Sequence, residues 1–221
     1  TNESNDKETF SLRYTLEGRN FKETVFADKN QKLARLEIDE NWIDYRFSIP
    51  HFRLWTQDEP YLYELTIDLY DGNGDWIDST HRHIGMRQFW MDEKSKPLKG
   101  AFYLNHERII LRGSNEMGHF PRAVMEGRDD HIVDDILTAK VAHLNFYRMT
   151  QRPVFEKIYT YFDMMGMLMQ VDFPFFGSIS FRCLPAAYQQ VVEMERLTRS
   201  HPSVVIETLC NEFFDPQANR R

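Results

Sequence analysis

LNFYRMTQRPVFEKIYTYFDMMGMLMQV, residues 144–171, holds the pattern that decides the fold. Leu144 to Met149 reads as a strand. Pro153 suits a first helical position. Phe155, Ile158, Tyr159 and Phe162 follow at i, i+3, i+4 and i+7, one face of a helix, and Gly166 closes it. Leu168 to Val171 is a second apolar strand. The same alternation repeats on both sides. Upstream, Ile109-Ile110-Leu111 is a short strand running into Gly113. The helix after it can be capped by Asp129 or Asp130 and carries a stripe of Ile132, Val133, Ile136 and Leu137. Downstream, Ala187, Val191, Met194 and Leu197 mark a third helix, and Val204-Val205-Ile206 opens a fourth strand ending near Cys210. The order β-α-β-α-β-α-β predicts parallel strands near 109–114, 144–149, 168–172 and 204–210 with helical crossovers.

Several of these strands end in polar residues: Ser114-Asn115, Arg148, Asp172 and Asn211-Glu212. In a (β/α)8 barrel those ends face the active site. A doubly wound open sheet competes, but it wants a glycine-rich phosphate turn after its first strand. Gly113-Ser114-Asn115-Glu116-Met117-Gly118 is not a G-x-G-x-x-G.

The first ninety residues follow a different period. Ala34, Leu36 and Ile38 alternate with Arg35 and Glu37, and Tyr63, Leu65, Ile67 and Leu69 alternate with Glu64, Thr66 and Asp68. Period two with one polar face is the antiparallel, half-buried pattern. Turn chemistry at Glu17-Gly18, Asp28-Lys29-Asn30 and Asp71-Gly72-Asn73-Gly74 separates the runs. Short strands at this spacing predict a β-sandwich.

The composition is that of a globular protein: 221 residues, 42% hydrophobic, with a formal charge of −7. The acidic balance argues against nucleic acid or an anionic membrane as the main partner, and no apolar run is long enough to span a bilayer. Cys183 and Cys210 form neither a disulfide framework nor a metal-type spacing. Thr1 to Glu8 has no apolar signal core and no initiator Met, which leaves cytoplasmic and periplasmic or secreted locations both open.

Five motifs, in order, resemble family 2 of the glycoside hydrolases, which includes β-galactosidases, β-glucuronidases and β-mannosidases. Leu54-Trp55-Thr56 with Pro60-Tyr61-Leu62-Tyr63, then Gly85-Met86-Arg87-Gln88-Phe89, look like the end of its immunoglobulin-like domain. Tyr103-Leu104-Asn105 and Leu111-Arg112-Gly113-Ser114-Asn115 look like its entry into the barrel. Asn145 to Gln151 resembles its N-x-x-R-x-S-H stretch, and Ser200-His201-Pro202-Ser203 leading to Asn211-Glu212 resembles its H-P-S-strand-N-E signature. Three positions depart: Gln151 where the family often has His, Phe173 where many members have a second acid, and Glu207 where an aromatic is common. The resemblance implies a multidomain β plus α/β chain. Residues 1–90 would be an immunoglobulin-like β-sandwich, and 91–221 the first half of a TIM (β/α)8 barrel, truncated after its fourth strand.

The same resemblance implies hydrolysis of β-glycosides at the non-reducing end by a retaining mechanism. One carboxyl must donate a proton to the leaving oxygen while another attacks from about 5–5.5 Å away. Glu212, directly after a buried strand, is the candidate acid/base, and partial desolvation there would help keep its proton. Asn211 is the candidate partner of the sugar 2-hydroxyl, and Arg148 an orienting guanidinium. Asp172, Gln151 and Asn115 are candidates for sugar hydroxyls, with capping or ion pairing as the competing reading for Asp172. Phe173, Phe175, Phe176, Phe213 and Phe214 cluster after strand ends, where one or two could meet a sugar face and core packing explains the rest. His81 and His83 share a strand face that reads as solvated. Glu116 and His119 are ambiguous, and neither pair reads as a metal site. No cofactor is implied.

A barrel takes about 250 residues, and the chain from Gly100 offers about half that. The nucleophile of the resembling family lies on the seventh strand, and no residue here matches it. The expectation is an internal piece of a longer enzyme, inactive alone, that associates with the rest of the barrel or with a second copy through open strand edges. The alternative is a non-catalytic module that binds carbohydrate or protein on a degenerate half barrel.

Overall fold

In a computed structural model of the chain, described for residues 9–33, 42–94, 99–177 and 181–212, the contacts divide into two compact units. The first comprises Thr1–Arg53 with Tyr61–Ile84, and the second Leu54–Pro60 with Gly85–Arg221.

The first unit is built on an antiparallel sheet of β1 (Phe10–Gly18), β2 (Thr24–Leu33), β3 (Tyr63–Tyr70) and β4 (Trp76–Ile84), in the order β2-β1-β3-β4. Among the described residues, Tyr14, Leu16, Leu62 and Tyr63 are its buried ones. Tyr45 stacks on Tyr14 with ring centroids 4.2 Å apart, so the segment after β2 covers part of the sheet. The Asp71–Gly74 turn forms as its chemistry predicts. The Asp71 carboxylate accepts from the Asn73 and Asp75 amides at 2.9 and 2.8 Å. The turn expected at Asp28-Lys29-Asn30 does not form; these residues continue β2. Between the pairs Tyr14–Lys29 and Leu16–Phe26 the register slips by one residue on β2, a bulge that absorbs the polar run without ending the strand. The alternation predicted over Ala34–Ile38 lies outside the described residues.

The second unit carries the strand–helix alternation. Its parallel strands are β8 (Gly113–Glu116), β9 (Phe146–Met149), β10 (Leu168–Asp172) and β11 (Val204–Thr208), in the order β11-β10-β9-β8. The crossovers are α1 (His119–Met125) with α2 (Asp129–Val141), then α3 (Glu156–Met165), then α4 (Leu184–Thr198). The helices bury one face against the sheet. Ile132 and Ile136 of α2, Ile158 and Phe162 of α3, and Met149 and Val171 of the strands belong to one core. Leu137, expected in the α2 stripe, is half exposed, and Ala139 is buried instead. That places the contact at i, i+4 and i+7 from Ile132.

The first parallel strand starts later than its apolar run predicts. Ile109 belongs to β7 (Glu107–Ile109), which with β5 (Phe89–Asp92) and β6 (Ala101–Leu104) forms a separate antiparallel sheet. Two local causes are visible. Asn105 and His106 both adopt positive φ, 50° and 71°, giving the tight turn that folds β7 back on β6. The Asn145 side chain then ties down the exit from β7, accepting from the Arg112 amide at 2.8 Å and donating to the Ile110 carbonyl at 3.0 Å. At Gly113, where β8 begins, a Cβ would collide with the Phe146 carbonyl of β9, so glycine permits the close start of the parallel pairing.

Candidate active site

Parallel strands leave their C-terminal ends on one side, and the polar strand ends gather there. Arg148 sits opposite Asn115 of β8 and Gln170 of β10, and Asp172 sits opposite Thr208 of β11. The residues that alternate with these, Met149, Met169 and Val171, point into the helix-covered core. The period-two geometry thereby sorts apolar side chains to one face and Arg148, Gln170, Asp172 and Thr208 to the other.

Asp172 is fully buried and lies at the centre. Its Oδ2 accepts from Arg148 Nε at 3.0 Å, Arg148 Nη2 at 2.6 Å and the Gln151 amide at 3.1 Å. Its Oδ1 accepts from Arg148 Nε at 3.2 Å and Gln170 Nε2 at 3.1 Å. Burial is the largest single influence on this carboxyl and pushes its pKa up. The donors from Arg148, Gln151 and Gln170 together outweigh burial and hold the pKa below the usual aspartate value. Arg148 Nη2 also donates to Asn211 Oδ1 at 2.5 Å. Asn211 is buried, and its backbone is pinned by a bond from its amide to the Phe175 carbonyl at 2.8 Å.

Glu212 follows directly, with φ of 49°, and its side chain is exposed. The desolvation expected at this position is not supplied by the described residues. Asn115 is exposed at the end of β8. Gln151 has φ of 65° and enters the network through its backbone amide, with its side chain exposed. The structure thus joins Arg148, Asp172, Asn211 and the Gln151 backbone by hydrogen bonds, and sets Glu212 and Asn115 beside them at the same strand ends.

Two members of the network were not read from the sequence. Gln170 Nε2 donates to both Asp172 Oδ1 and Thr208 Oγ1, the latter at 2.7 Å. Their signal was available: each is polar within an apolar strand, and Gln170 stands two residues before Asp172, on the same face. The other singled-out residues have local partners. The Glu116 carboxylate accepts from the Gly118 and Phe120 amides at the start of α1. His119 pairs with Asp135, His81 contacts Thr66, and His83 contacts Arg19. Phe173, at a departure from the resembling pattern, is fully buried in the helix-facing core, and Phe176 is exposed. Glu207, at another, is exposed and accepts from Thr198 of α4 at 2.5 Å. Phe213 and Phe214 lie outside the described residues.

The family model described as "Glycosyl hydrolases family 2" matches residues 1–87, and "Glycosyl hydrolases family 2, TIM barrel domain" matches residues 97–220. Among solved structures, the chain is similar to a β-glucuronidase of Bacteroides uniformis, with TM-score 0.77 and 19% identity over 99% of this chain and 26% of that one. It is similar to a putative β-galactosidase of Bacteroides fragilis, with TM-score 0.75 and 19% identity over 98% of this chain and 31% of that one. It is also similar to a glycosyl hydrolase family 2 member of Bacteroides cellulosilyticus DSM 14838, with TM-score 0.72 and 24% identity over 94% of this chain and 27% of that one. The chain therefore spans between a quarter and a third of the length of these three proteins.

Proposed function

Because the chain belongs to family 2 of the glycosyl hydrolases, with a sandwich domain followed by part of a TIM barrel, we propose that it contributes the acid/base half of a retaining, exo-acting β-glycosidase site. The observation that carries this reading is the continuous Asp172–Arg148–Asn211 network at the strand ends, which fixes the residue immediately before Glu212.

In this reading Glu212 protonates the leaving oxygen and then, as a carboxylate, draws a proton from the attacking water. Its backbone is left-handed, with φ of 49°. Asn211 keeps its side-chain N–H group for the sugar 2-hydroxyl, since its Oδ1 is already held by Arg148. Arg148, fixed by Asp172, orients carboxylates at the mouth. Gln151 and Asn115, both exposed, are placed to meet sugar hydroxyls.

The second carboxyl must come from elsewhere. Asp172 accepts five donor contacts, and Glu116 is committed to the first turn of α1. In this reading neither of them is the nucleophile. Which β-linked sugar is cleaved is best asked by screening nitrophenyl glycosides with the full-length protein.

The test is Glu212→Gln in that protein, assayed with substrates of differing leaving group. An acid is needed only when the departing oxygen is basic. With alkyl or sugar leaving groups the rate should fall by about a thousandfold or more. With activated aryl glycosides the first step should fall far less. Equal loss of that step for both classes would rule out the acid role.

A further inference from the structure

We propose that Gln170 is a positioning residue of this site, its side-chain amide spanning β10 and β11 to fix the Asp172 carboxylate that holds Arg148. The inference rests on the functional reading above and adds a residue to it.

Gln170 is half-buried in a strand whose neighbours Leu168, Met169 and Val171 are fully buried and apolar. A polar amide at such a position costs roughly 1–3 kcal/mol unless it is hydrogen-bonded. Here one nitrogen serves two acceptors, Thr208 Oγ1 at 2.7 Å and Asp172 Oδ1 at 3.1 Å. The register explains how it reaches both. Asp172 lies two residues along the same strand face, and Thr208 is the β11 partner of Asp172.

The two oxygens of Asp172 are not held equally. Oδ2 has three donors at 2.6–3.1 Å. Without Gln170, Oδ1 would keep only the longer Arg148 Nε contact at 3.2 Å. The carboxylate could then turn about its terminal torsion, which is a soft one. The same guanidinium nitrogen that is closest to Asp172 also holds Asn211. A turn of Asp172 therefore moves Arg148, and through it the residue next to Glu212. Of the two roles open to Asp172, sugar contact or ion pairing, the ion pair with Arg148 is the one taken here. Gln170 hydrogen-bonds none of Asn211, Gln151 and Asn115, the groups assigned to the sugar in the proposed function, and acts through Asp172.

The experiment uses the full-length protein and nitrophenyl β-glycosides, with Gln170→Val, Asp172→Asn, the double variant, and Thr208→Val. Displacements smaller than 1 Å at such a network cost rate steeply, so Gln170→Val should lower kcat about tenfold. It should also raise KM about threefold, the loss expected from one weakened hydrogen bond. KM does not depend on the fraction of folded enzyme, so its rise separates positioning from lost stability. In the Asp172→Asn background, Gln170→Val should add less than about twofold, because coupled residues are not additive. Thr208→Val, which frees the other end of the amide, should shift both parameters in the same direction by a smaller factor, and it carries the test if Gln170→Val does not fold. Unchanged KM in both single variants, or full additivity with Asp172→Asn, overturns the proposal while leaving the Glu212 reading intact. A wild-type protein inactive on every nitrophenyl β-glycoside overturns that reading and this inference with it.

Discussion

Arg148 and Asn211 are joined by a 2.5 Å hydrogen bond although Asn211 follows β11, which is not a neighbour of β9 in the sheet; the guanidinium reaches past Asp172 at the end of β10, its footing. The planar fork makes this reach possible, since Nε and Nη2 grip the carboxylate while Nη2 still serves Asn211. Removing the guanidinium strands a buried carboxylate, so Arg148→Ala should destabilise the second unit by about 3 kcal/mol. Asp172→Asn, which removes the charge as well, should cost less, about 1–2 kcal/mol. Urea unfolding of both variants checks the order, and a smaller loss for Arg148→Ala would mean that Asp172 is not held as described.

The same carboxylate sets a pH dependence. Its folded pKa lies below the usual aspartate value because its hydrogen bonds outweigh the upward push of burial. A group depressed on folding contributes stability that is present above its unfolded pKa of about 3.9 and is lost as pH falls through the folded value. Stability measured from about pH 5 down to about pH 2 should fall, and Asp172→Asn should fall less steeply over that window. Parallel curves for wild type and variant would contradict the linkage.

The strand–helix alternation after Gly100, the closing role of Gly166 and the shared end of Asn115, Arg148 and Asp172 were legible because each rests on local periodicity or on a strand end. What escaped was set by side chains distant in sequence. Ile109-Ile110-Leu111 reads as a barrel strand, yet the Asn105-His106 turn and the Asn145 side chain place Ile109 in an antiparallel hairpin. Asp28-Lys29-Asn30 reads as a turn, yet a bulge carries it through β2. Gln170 and Thr208 escaped because a polar residue in an apolar strand reveals its partner only when the neighbouring strand is in register. The exposure of Glu212 could not be read at all, since burial depends on what surrounds the strand end.

The His201-Pro202-Ser203 motif should divide sharply under mutation. Asp163, fully buried, accepts from the Ser203 amide at 2.9 Å and lies 2.5 Å from His201 Nδ1, while its own carbonyl accepts from Trp55 Nε1 at 2.8 Å. Asp163→Ala removes the acceptor of the buried Ser203 amide and the Asp163 contact of a buried imidazole, and should cost about 3 kcal/mol or more. The Ser203 hydroxyl is buried with no hydrogen-bond partner among the described residues. Ser203→Ala removes that burden and should leave stability within about 0.5 kcal/mol of wild type, or raise it. Thermal unfolding of the two variants side by side is sufficient, and a large loss at Ser203 would show that its hydroxyl has a partner.

Two glycines of the second unit allow backbone strain to be separated from collision. Gly166 ends α3 with φ of 65°, and Gly127, between α1 and α2, has φ of 69°. Both sit in the left-handed region, where any other L residue pays a conformational cost of about 1 kcal/mol. Their surroundings differ. A Cβ on Gly127 would meet nothing within 4 Å, whereas one on Gly166 would run into the Gln57 backbone at its carbonyl. That carbonyl cannot simply swing aside, because it accepts from Lys140 Nζ at 2.8 Å, and the Gln57 side chain is anchored to the Asn145 carbonyl at 2.9 Å. Gly127→Ala should therefore cost about 1 kcal/mol, the conformational part alone. Gly166→Ala should cost about 3 kcal/mol or more, because the collision with fixed backbone adds to it. Lys140→Met in the Gly166→Ala background frees the carbonyl to move and should recover part of that excess, while having no such effect beside Gly127→Ala. Equal losses for the two alanines would mean that the segment containing Gln57 yields freely, and that Gly166 is required for its φ alone.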